Sequence, residues 1–137
     1  MQPTSVHIAA FFVSGHSVTT NNHDESDPAT AKIAGLWSQF FATAPSLPFY
    51  GVYSNYESDV TGQFDVTAGI GAKSGIEIKE GRYLVFKARE LMPAAIIDTW
   101  SFIWRYFEEH SIKRCFLTDF EAYGPEGVDI HIGILDE

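Results

Sequence analysis

One stretch of this chain is written twice. Ser54-Asn55-Tyr56-Glu57 recurs 64 positions later as Thr118-Asp119-Phe120-Glu121. The same offset carries Asp65 onto Asp129, Val66 onto Ile130, Gly69 onto Gly133 and Ile70 onto Ile134. A repeat of this length implies one small unit used twice, with each copy burying its apolar face against the other. It makes Glu57 the twin of Glu121, and it asks whether the two acids do the same work.

The periodicity gives each copy the same elements. Ser5 to Val13 is mostly apolar and reads as a strand, followed by a polar loop from His16 to Asp27. That loop lacks the spacing of a calcium site. Asp27-Pro28 suits a helix start, and Ile33, Leu36, Trp37, Phe40 and Phe41 make one apolar stripe fading near Ala44-Pro45. Phe49 to Tyr56 reads as a strand, a turn falls around Asp59 to Gly62, and Phe64 to Ile70 alternates as a half-buried strand does. Extended chain then covers Ile76 to Lys79 and Arg82 to Arg89, with a turn at Glu80-Gly81. Pro93 opens a second helix with its stripe at Ile96, Ile97, Trp100, Ile103, Trp104 and Phe107. Cys115 to Tyr123 is a strand, Gly124 to Gly127 a turn, and Val128 to Ile134 a strictly alternating strand. The expectation is an α+β domain: a strand-helix-strand-strand unit duplicated with pseudo-two-fold symmetry, its halves approximately 1–73 and 74–137. Trp37 and Trp100 stand in matching places on the two helices.

Charge and composition remove several functions. At 137 residues with a net charge of −9, the chain is one domain that repels nucleic acid backbones and favours cationic or neutral partners. Cys115 is the only cysteine, so no internal disulfide forms, which fits a reducing cytoplasm. No basic-apolar leader opens the chain, and no run approaches the roughly 18 apolar residues of a membrane span. The five His residues form no metal-spaced pair, and neither a phosphate loop nor a nucleophile elbow is present. No metal and no cofactor is expected.

The order and spacing of several motifs resemble the GyrI-like small-molecule-binding domains, the effector-binding domains of AraC-type and MerR-type multidrug regulators. These motifs are Tyr50-Gly51-Val52-Tyr53, Tyr56-Glu57, Phe64-Asp65, Gly81-Arg82-Tyr83, the Trp100 helix and Asp119-Phe120-Glu121-Ala122-Tyr123. The resemblance covers nearly the whole chain. It implies a hydrophobic groove between the halves and an acid at the position of Glu121 as counter-charge for cationic, often aromatic ligands. Regulators of this kind carry a DNA-binding region before the domain, whereas Met1 here lies a few residues before the first strand. The chain is therefore more similar to the free-standing versions, including those from integron gene cassettes. Ligand binding transfers; transcriptional regulation needs a separate DNA-binding or other protein partner.

The chemistry is consistent with that implication. A carboxylate among apolar groups loses hydration and either takes up a proton or waits for a cation. A lipophilic cation supplies the charge while its rings bury against aromatic faces, at about 0.5–2 kcal/mol for each cation–π contact. The candidate lining is Glu121 with Trp100, Trp104, Tyr56, Tyr83, Tyr123 and Trp37. The plainer alternative is that the aromatics are core and that Glu121 is paired with Arg82, Arg105 or His131. Two other functions stay open: a hydrolase using Glu121 as base with Tyr123 or Tyr56, and an acidic module that caps a basic protein. Strand alternation puts Leu117, Asp119, Glu121 and Tyr123 on one face; it does not say which face meets the helices.

Overall fold

The computed structural model describes residues 3–58, 61–88 and 93–135. Eight antiparallel strands and three helices follow the order β1 (Thr4–Ile8), β2 (Phe11–Thr20), α1 (Asn22–Glu25), α2 (Ile33–Phe41), β3 (Phe49–Ser54), β4 (Phe64–Ala72), β5 (Ile76–Ile78), β6 (Gly81–Ala88), α3 (Pro93–Glu109), β7 (Arg114–Gly124) and β8 (Gly127–Ile134). The strands form one curled sheet in the spatial order β1-β6-β8-β7-β3-β4-β2-β5. A pseudo-two-fold axis passes between β3 and β7. It relates β2-α2-β3-β4 to β6-α3-β7-β8, which is the duplicated unit read from the sequence.

The edge strands cross over. β1 pairs with β6 of the second unit, and β5, which follows the first unit, returns to pair with β2. The expected single strand from Ser5 to Val13 is therefore two strands, because its ends belong to opposite margins of the sheet. The expected loop after His16 is also strand as far as Thr20. Its polar side chains are used across the ladder: Ser17 hydrogen-bonds Thr67 and Thr19 donates to Asp65, each at 2.6 Å. The first long helix starts at Ile33 rather than at Asp27-Pro28. Both oxygens of Glu25 accept from the amides of Lys32 and Ile33 and fix the start there. Asp27 instead accepts from the Ala29 amide in the preceding turn. Part of the expected turn at Asp59 to Gly62, and Arg89, lie outside the described residues.

The two faces of the sheet carry separate cores. Val128, Ile130, Ile132 and Ile134 point to the helix face and pack with Leu36, Phe40, Phe86 and Ile103. Phe120, Val52, Val13, Ile78 and Tyr83 form a second cluster on the opposite face of the curled sheet. Glu121 and Tyr123 thus lie on the face that meets the helices. Leu117 does not join them: it is 55% exposed, because a bulge between Arg114 and Asp119, with Phe116 at φ +55, interrupts the alternation.

The repeat holds in one strand and slips in the other. Val66 and Ile130 are both fully buried and correspond at the 64-residue offset. Yet Val66 faces Tyr53 across its ladder, whereas Ile130 faces Glu121. The structural counterpart of Glu121 is therefore Tyr53. Glu57 lies beyond the end of β3 in the long hairpin connection, where its amide donates to the Gln63 carbonyl at 2.8 Å and its side chain is exposed.

Candidate functional site

Glu121 sits at the centre of the sheet, opposite Gly51, where the two units meet. It is 2% exposed. Trp100 Nε1 donates to its Oε2 at 2.7 Å, Tyr53 Oη to the same oxygen at 3.0 Å, and Tyr123 Oη to Oε1 at 2.6 Å. All three donors are neutral, and no ion pair to Glu121 is formed among the described residues. Burial pushes its carboxyl up from the ordinary glutamate range, opposed by the three hydrogen bonds. Burial and the nearby Glu121 charge likewise raise Tyr53 and Tyr123, which remain protonated donors.

Gly51 makes room for this arrangement. A Cβ there would lie 2.8 Å from Trp37 Cζ2 and 3.0 Å from Glu121 Oε1. The bare backbone lets the Trp37 ring, carried by α2, settle beside a carboxylate whose other side is held by Trp100 of α3. Trp37 also packs on Tyr123 with ring centroids 5.1 Å apart. Each unit thus sends one tryptophan from its helix to the same acid.

The remaining predicted residues separate from this cluster. Trp104 lies next to Trp100, with centroids 6.4 Å apart, and is 43% exposed. Tyr56 donates to Asp119 Oδ2 and joins a second cluster, in which Arg114 Nη2 donates to Asp119 at 2.7 Å and the Gly133 amide donates at 2.8 Å. Tyr83 is on the far face of the sheet, where its hydroxyl hydrogen-bonds Thr118 at 2.7 Å and burial pushes it up to about 12. None of the suggested partners Arg82, Arg105 and His131 forms an ion pair with Glu121 among the described residues. His131 is stacked on Phe120, with ring centroids 4.1 Å apart.

Two contributors escaped the sequence reading. Tyr53 was hidden by taking Glu57 as the twin of Glu121. The Asp119–Arg114 pair was hidden by the bulge that brings residues five apart together. Gly51 inside an aromatic strand was the available signal for a close approach. Among the described residues no group of His, Cys, Asp and Glu is placed to hold a metal, and no helix is long and apolar enough to cross a membrane.

Known structures share this architecture. An integron cassette protein from the mobile metagenome of Vibrio cholerae is 36% identical, superposes with a TM-score of 0.87, and is matched over 98% of this chain and 96% of its own. A protein solved bound to tetraphenylphosphonium is 17% identical with a TM-score of 0.73, over 98% of this chain and 94% of its own. A putative bacterial transcription regulation protein from Staphylococcus aureus is also 17% identical, with a TM-score of 0.77 over 99% of both chains. The last two likenesses carry the fold alone. No curated protein sequence matches the chain. The family described as integron-associated effector binding protein matches residues 6–134, and with the Vibrio cholerae relative this shows that the chain belongs to that family.

Proposed function

We propose that this effector-binding protein takes up amphipathic organic cations, as a cytoplasmic sensor or sequestering module, and that Glu121 is their counter-charge. One observation carries the reading: a carboxylate 2% exposed is held by three neutral donors, with no cation paired to it among the described residues. Hydrogen bonds from neutral groups orient a buried charge but do not cancel it, so the site favours a cation that brings its own apolar bulk. The aromatic rings of Trp37, Trp100 and Tyr53 then offer faces to that bulk. Because Glu121 is enclosed, a ligand reaches it by shifting a ring. The half-buried Trp37 and Trp100, each on a helix, are the movable ones. A likeness in fold to a protein that holds tetraphenylphosphonium supports the same class of ligand. In the hydrolase alternative, Tyr56 is already engaged by Asp119, and Tyr123 is a protonated donor to Glu121.

The test uses two probes of equal shape and opposite charge. Tetraphenylphosphonium should quench the tryptophan fluorescence and tetraphenylborate should not. Glu121→Gln should weaken the cation at least about tenfold, since a buried charge pair loses one partner. Equal binding of both probes removes the cation preference. Unchanged cation affinity in Glu121→Gln removes the counter-charge role.

A further inference from the structure

Glu121 does not hold its two oxygens equally. An ionised carboxylate has about four lone-pair positions, two on each oxygen. Oε2 accepts from Trp100 Nε1 at 2.7 Å and from Tyr53 Oη at 3.0 Å. Oε1 accepts from Tyr123 Oη alone, at 2.6 Å. Among the described residues one acceptor position is therefore left open, and it is on Oε1. An open position on a buried carboxylate favours a donor brought by the ligand.

The surroundings of Oε1 give the direction of approach. Gly51 lies opposite Glu121 on β3. A Cβ there would be 3.0 Å from Oε1 and 2.8 Å from Trp37 Cζ2, so the carboxylate oxygen and the edge of the Trp37 ring border the same bare stretch of backbone. The two indoles beside the acid are held differently. Moving Trp100 breaks its hydrogen bond to a buried carboxylate. Trp37 is held by ring contacts to Phe40, Phe41, Phe49 and Tyr123, with centroids between 5.1 and 6.1 Å apart, and by no hydrogen bond among the described residues. Trp37 is thus the ring that shifts at the smaller cost, and its shift uncovers Gly51 beside Oε1.

We propose that the ligand is a protonated amine with aromatic bulk, that it enters over Gly51 where the Trp37 ring now lies, and that its N–H donates to Glu121 Oε1. This rests on Glu121 as the counter-charge and adds the polar contact and the side of entry. A quaternary cation such as tetraphenylphosphonium answers the charge and leaves the Oε1 position empty. Gly51 is then a specificity-determining residue, because a side chain there occupies the space between the oxygen and the moving ring.

Protonated N-methyldibenzylamine and dibenzyldimethylammonium provide the test, being matched two-ring cations that differ in N–H against N–CH3. The protonated amine should bind at least about tenfold tighter, as a hydrogen bond to a charged group implies. In proton–nitrogen NMR it should shift the Trp37 Nε1–H resonance, while the Trp100 Nε1–H keeps its protection from exchange. Gly51→Ala should weaken both probes and bring their affinities together. Equal affinities in the unmodified protein, failure of the amine to bind, or a Trp100 Nε1–H that loses protection while Trp37 is unmoved overturns the proposal. If Gly51→Ala does not fold, the probe pair and the two indole resonances decide. The counter-charge is judged separately. Equal binding of tetraphenylphosphonium and tetraphenylborate removes it, whereas equal binding of the two ammonium probes with tetraphenylphosphonium still preferred removes only the N–H contact.

Discussion

Asp119 and Glu121 lie on one face of β7, two residues apart, at 0% and 2% exposure. Asp119 meets a guanidinium at 2.7 Å, a tyrosine hydroxyl and a backbone amide. Glu121 meets two tyrosine hydroxyls and an indole. The number of partners is the same; the charge is not. One acid is a closed ion pair, and the other is held by neutral donors with no ion-pair partner among the described residues. Burial therefore does not set the two acids apart in this strand, whereas the presence of a cation among the described residues does.

The largest effect expected from this contrast is on stability. Arg114→Ala strands a buried Asp119 charge and should cost about 3–5 kcal/mol in urea or thermal unfolding. Glu121→Gln removes a buried carboxylate that has no ion-pair partner among the described residues, and should leave stability equal or higher at neutral pH. If Glu121→Gln destabilises the protein as much as Arg114→Ala does, the two acids are alike and the contrast is broken.

A smaller effect separates them by pH. The folded-state pKa of Glu121 is raised by burial above its ordinary value of 4.5, so across that window the native chain holds a proton the unfolded chain has lost. Stability from this group is full below pH 4.5 and falls as pH rises through the raised value. Subtracting the melting curve of Glu121→Gln from that of the unmodified protein should isolate this downward slope. Tetraphenylphosphonium affinity should run the other way, strengthening over the same window as Glu121 ionises. Slopes of the same sign would mean that the ligand does not sense this carboxylate.

The chemistry of the site was easier to read than its geometry. Stripes at helical spacing placed Trp37 and Trp100 on two helices, and alternation placed Glu121 and Tyr123 on one face, because these signals are local. Tyr53, Arg114 and the roles of Tyr56 and Tyr83 depend on which strands become neighbours. That is decided by the β3–β7 pairing and by a bulge, neither of which leaves a periodic trace. β2 was missed beyond Val13 for a related reason: Ser17 and Thr19 are polar, and only their partners on β4 make them strand residues.

The smallest effect tests the repeat itself. By sequence offset the twin of Glu121 is Glu57; by ladder register it is Tyr53. Glu57→Gln changes an exposed loop side chain and should alter stability by no more than about 0.5 kcal/mol, with tetraphenylphosphonium affinity unchanged. Tyr53→Phe removes one of the three donors to Glu121 and should cost about 1 kcal/mol in unfolding. It should also leave Glu121 easier to protonate, moving the pH midpoint of cation binding upward. A midpoint moved by Glu57→Gln and not by Tyr53→Phe would return the role of twin to Glu57.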